Sequence, residues 1–80
     1  MREQMTAAQR GMAYGALVDA CAELGPGFTG RRRLSLKLGL SPRACCGWLK
    51  TGHTPAGRVL AVERASGVAK EELRPDLYRE

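Results

Sequence analysis

RRRLSLKLGLSPRACCGWLK, residues 31–50, carries a helix-stop signal followed closely by a helix-start signal. Gly39 can take the left-handed backbone conformation that ends a helix without a steric penalty. Ser41 is a good N-cap, and Pro42 suits the first position of a new helix, where a missing N–H costs nothing. Cys45, Trp48 and Leu49 then recur at i, i+3 and i+4 and share one side of that helix. Arg43, Cys46, Gly47 and Lys50 fall on the other side. The spacing predicts helix, tight turn, helix, with the second helix over 42–50 apolar inside and small or basic outside. Such a helix is suited to lie against something else.

The first half of the stretch admits two readings. From Leu34 to Leu40 apolar residues alternate with others as in a half-buried strand. A lone strand would leave its backbone groups unpaired, and no partner strand is legible elsewhere, which decides for helix. Leu34 and Leu38 then face inward, Ser35 is small where a neighbouring helix must approach, and Leu36 is partly exposed.

Upstream, residues 1–10 are polar and lack an apolar stripe, so they read as a frayed turn or a disordered arm. From Gly11 the apolar residues Met12, Ala13, Ala16, Leu17, Ala20, Cys21 and Leu24 recur at helical steps, with Asp19 and Glu23 on the polar face. Gly25, Pro26 and Gly27 end this first helix. Thr29 is the expected cap of the next, and Phe28 is expected to plug the base of the core. Downstream, Thr54 and Pro55 repeat the start signal of Ser41 and Pro42. Val59, Val62 and Ala65 form a stripe that Gly67 stops, and a short last helix covers 69–73. Glu63 is expected to pair with Arg64 or Arg74. The chain divides into an arm (1–10), a helical domain (11–75) and a tail (76–80), all-α with five helices.

Eighty residues bury only roughly 60% of the surface exposed on unfolding, so a deep enclosed catalytic pocket is not expected, and dimerisation would add stability. The formal net charge of +5 is unevenly placed. Between Glu23 and Glu63 there is no acid, whereas Arg31, Arg32, Arg33, Lys37, Arg43, Lys50 and Arg58 all lie in that interval. This segregation gives one region a positive field that attracts a polyanion. Cys21, Cys45 and Cys46 have neither zinc nor redox spacing, and His53 does not complete a ligand set, so no metal and no cofactor is expected. No Ser-His-Asp set, paired carboxylates or phosphate-binding glycine loop is present, so no catalytic residues are expected. With neither a signal peptide nor a membrane-length apolar run, a reduced cytoplasmic compartment is the expectation.

Leu34, Ser35, Leu38, Gly39, Leu40, Ser41, Cys45 and Trp48 fit the helix-turn-helix spacing of phage Cro and repressor proteins. The stretch TPAGRVLAVERASGVAKEELRPDLY, residues 54–78, resembles the second half of the YdaS-like, Cro-like regulators. The resemblance covers residues 28–78 and says least about 1–27. It implies a compact five-helix domain of lambda-repressor/Cro type in a prophage-type transcription regulator, acting on the nucleoid of a bacterial or phage-infected cell. Some such proteins are described as the antitoxin of a toxin pair.

A helix-turn-helix places the start of its second helix in the major groove, where base edges differ in their donors and acceptors. Arg43 is best placed to reach a base, with binding to a phosphate as the other reading. Lys50 is the other long side chain on that face, while Pro42, Cys46 and Gly47 offer van der Waals contact or close approach. Arg31, Arg32, Arg33 and Lys37 are candidates for backbone phosphates, as are Ser41, His53 and Arg58. Trp48 is expected to pack in the core and not to stack on bases. The expected partners are double-stranded DNA and a second copy of the chain. A toxin or other protein is the alternative partner, with Leu77, Tyr78 and the N-terminal segment as its contact surface.

Overall fold

Thr6 and Gln9 open the first helix. In the computed structural model, which describes residues 5–78, the Thr6 hydroxyl accepts from the Gln9 N–H (3.1 Å) and the Gln9 side chain accepts from the Thr6 N–H (2.9 Å). This reciprocal cap satisfies two of the donors left unpaired at a helix start. Helix α1 therefore spans Ala7–Leu24 and begins before Gly11, because the cap, not an apolar stripe, sets its first turn. The expectations for residues 1–4 and 79–80 lie outside the described residues.

Helix α1 packs against each of the other four helices: α2 (Gly27–Lys37), α3 (Ala44–Thr51), α4 (Val59–Ser66) and α5 (Lys70–Leu73). A 3-10 turn, Ala56–Arg58, precedes α4. Among the described residues there is no strand, so the chain is all-α with five helices. The core is Ala16, Leu17, Ala20 and Cys21 from α1, Leu34 from α2 and Cys45 from α3, closed by Val59, Val62 and Leu73. Trp48 and Leu49 pack half-buried against it, as their spacing predicts. Met12 is exposed, because it sits about 100° round α1 from Ala13 and leaves the buried face. No helix of the described residues is long and apolar enough to cross a membrane.

The start of α2 corrects two expectations. Pro26 is the N-cap position and supplies no side-chain bond, so Thr29 lies inside the helix and does not cap it. Gly30 is the contact point with α1: a Cβ there would run into the carbonyl oxygens of Cys21 and Gly25. Phe28, two residues earlier, is turned about 200° away and is 75% exposed, so it is not a core plug.

The second half of the chain is tied down by polar contacts that differ from the expected ones. Thr54 is buried, its hydroxyl has no partner among the described residues, and it does not cap a helix. Its carbonyl instead accepts from Arg74 Nη1 (3.0 Å). Arg74 also makes a bidentate pair with Asp76 (2.9 and 2.8 Å), both side chains being nearly buried. Glu63 therefore does not pair with Arg74; its carboxylate accepts from the Lys70 N–H (3.0 Å) at the start of α5. Tyr78 folds back onto the core, whereas Leu77 stays exposed.

Candidate nucleic-acid interface

The angle between α2 and α3 is fixed by a turn and one hydroxyl. Helix α2 ends with the Gly39 N–H on the Leu36 carbonyl (2.9 Å) and the Leu40 N–H on the Ser35 carbonyl (3.0 Å). This pair of bonds closes a helix when the residue between turns left-handed, and Gly39 has φ 77°. Residues Ser41 to Ala44 then form a turn closed by the Ala44 N–H on the Ser41 carbonyl (3.1 Å).

Helix α3 thus starts at Ala44, with Arg43 in the N-cap position and no capping side chain of its own. The expected span of 42–50 is corrected, as are the roles of Ser41 as cap and Pro42 as first helical residue. The capping function is supplied from the preceding helix. Ser35 Oγ, fully buried, accepts from the Cys45 N–H (3.0 Å) while donating to the Arg31 carbonyl (2.8 Å). One hydroxyl therefore holds the two helices in register and satisfies a donor that burial would otherwise leave unpaired.

Against this corner lies an open groove of about 840 Å³. Its α3 wall consists of Pro42, Arg43, Cys46, Gly47 and Lys50 with Leu49 behind them, so all five expected base-facing positions stand together. Arg31 and Arg32 of α2 form the facing side, joined by Tyr14 and Phe28. The Arg31 guanidinium lies 4.9 Å from the centre of the Phe28 ring, a cation–π stack that holds both. Among the described residues no acid lines the groove, so its four cations are not neutralised by a neighbour in that lining.

The remaining expected phosphate contacts lie outside the groove walls. Arg33 Nη1 donates to the Leu24 carbonyl (2.9 Å), completing the C-terminal end of α1. Lys37 is exposed in the last turn of α2, where a cation suits the helix dipole. His53 lies close enough to Asp76 to help hold its carboxyl below the usual range, an effect due mainly to Arg74. Ser41 and Arg58 are exposed. Tyr14 and Phe28 were not foreseen as groove residues. The one sequence signal for Phe28 was Gly30, whose closeness to α1 forces Phe28 outward.

Behind the groove two buried thiols meet, Cys21 of α1 and Cys45 of α3. The hydrogen bond between them lowers the Cys45 thiol below the usual range, while that contact and burial push Cys21 upward. Cys46, partly exposed on the groove wall, is the accessible thiol of α3. Among the described residues no group of three His, Cys, Asp or Glu is placed to hold a metal ion.

Compared with known families, residues 18–80 match the model described as bacterial toxin YdaS. No curated protein and no solved structure matches the chain.

Proposed function

The chain belongs to the bacterial toxin YdaS family, and on that premise we propose that it is a sequence-specific double-stranded DNA-binding regulator of Cro-like type. The observation that carries the reading is the groove beside α3, which brings Arg43 and Lys50 together with Arg31 and Arg32 and has no acid among the described residues of its lining. Helix α3 enters the major groove, Arg43 reads a guanine edge, and Arg31 and Arg32 hold phosphates beside it. Cys46 and Gly47 are small enough to let the helix backbone approach the bases. A homodimer places two such helices on a palindromic operator in the bacterial cytoplasm, about one turn of DNA apart. Binding of a palindrome from the chain's own promoter, compared with a scrambled duplex at one salt concentration, tests the reading. The expected preference is at least about 1,000-fold, and equal affinity refutes it.

The family's description as a toxin favours a second, compatible reading: production of the protein harms the cell because it occupies an operator. Induction of the wild-type chain should then slow growth. The Arg43→Ala, Lys50→Ala double variant, produced to the same level, should not. If the double variant is equally harmful, the toxicity has a cause other than DNA occupancy.

A further inference from the structure

DNA accounts for the cations around the groove but not for the apolar part of its lining. A duplex presents phosphates, sugars and polar base edges, with thymine methyl groups as its apolar feature in the major groove. That apolar part is Tyr14 of α1, Phe28 of α2 and Leu49 of α3. Phe28 and Tyr14 are 75% and 48% exposed, and they are gathered in one depression and not scattered singly, which is how an exposed apolar feature marks an interaction site. A second depression of about 220 Å³ shares Arg31 and Leu49 with the first and adds Val18 and Ala22, with no acid among the described residues of its lining. Apolar residues from three helices therefore share the groove with its cations.

We propose that this groove also docks an amphipathic helix with acidic flanks, carried by a partner protein, and that the partner and DNA exclude each other. Apolar anchors at i, i+3 or i+4, and i+7 of such a helix would lie on Tyr14, Phe28 and Leu49. Carboxylates beside them would meet Arg31, Arg32, Arg43 and Lys50. Cys46 and Gly47 leave the space that the incoming helix fills. The Arg31 stack fixes the Phe28 ring in advance, so little rotamer freedom is lost on docking. Aromatic and arginine side chains gathered in one depression are the residue types that dominate binding energy at protein interfaces. The docking rests on the groove alone and stands whether or not the DNA reading does; only the exclusion depends on both.

The test uses the full chain and a series of fluorescein-labelled helical peptides. The parent peptides carry Leu or Phe at i, i+3 and i+7 flanked by Glu. One control replaces the anchors by Ser at unchanged charge, and the other replaces Glu by Gln. Saturable binding of parent peptides is expected, weakened at least about tenfold in either control and by Phe28→Ser, with a promoter duplex displacing the peptide. Phe28 is exposed, so circular dichroism of Phe28→Ser should match wild type, and Arg64→Ala, on α4, which contributes nothing to the lining of either depression, should bind as wild type does. The docking is overturned if no parent peptide binds below about 1 mM, if the Ser control binds as tightly as the parent, or if Phe28→Ser changes nothing. Peptide binding that a bound duplex leaves intact would overturn the exclusion.

Discussion

At the scale of single residues, the two arginines with the most telling surroundings face opposite demands. The Arg43 side chain is exposed on the groove wall and has no hydrogen-bond partner among the described residues, so its removal should leave stability within about 0.5 kcal/mol. Arg74 is nearly buried and held by Asp76 and the Thr54 carbonyl. Asp76→Asn should cost about 2–3 kcal/mol in urea unfolding, toward the low side for a broken buried pair because Thr54 still holds the guanidinium. The same pair sets a pH dependence. Arg74 lowers the Asp76 carboxyl below its ordinary 3.8, so the pair's stabilisation is fully present above that value. It is lost as pH falls through the lowered one. Unfolding midpoints measured from pH 6 down to pH 2 should fall more steeply for wild type than for Asp76→Asn, and parallel curves would contradict the assignment.

At the scale of elements, the junction of α2 and α3 depends on Ser35 more than on the residues that signal a helix start. Ser35→Ala removes the acceptor for the buried Cys45 N–H and should destabilise the chain by about 1–2 kcal/mol. Because that bond also sets the position of α3, operator affinity should drop in conditions where the variant remains folded. Unchanged affinity would show that α3 is positioned without it. Gly30→Ala places a methyl against the backbone of α1 and should destabilise by more than about 2 kcal/mol, read as a loss of thermal midpoint. These elements were legible in the sequence to different depths. Gly39 marked the turn, and the spacing of Cys45, Trp48 and Leu49 marked the inner face of α3, because both are local periodic signals. Ser41, Thr29 and Thr54 looked like caps for the same local reason. None caps a helix, because a hydroxyl ten residues away does the work for α3, while Pro26 and Pro55 fix the other entries by backbone shape. Glu63 capping Lys70 depends on how α4 and α5 meet, and Arg74 reaching the Thr54 carbonyl joins residues twenty apart, which no local pattern contains.

At the scale of the whole molecule, charge and shape bear on the same surface. The interval without acids between Glu23 and Glu63 was legible in the sequence as a positive region, and folding concentrates four of its cations on one groove. What the sequence did not display was the apolar part of that lining, since Tyr14 and Phe28 are brought beside α3 only by the packing of α1 on α2. If Arg32 holds a phosphate, Arg32→Ala should weaken binding to all duplexes alike and reduce the slope of log K against log salt by about 1. If α3 reads DNA, a molecule 35 Å long that presents one α3 would read one half-site, and a palindrome with half-sites about 34 Å apart would call for two copies. Whether α3 reads bases through Arg43 is decided by the affinity ratio between the promoter palindrome and a scrambled duplex, measured at fixed salt for wild type and Arg43→Ala. The variant should lose about 1–3 kcal/mol of affinity for the palindrome while changing little on the scrambled duplex, so that the ratio collapses. An equal loss on both duplexes, with the ratio unchanged, would contradict base reading by Arg43.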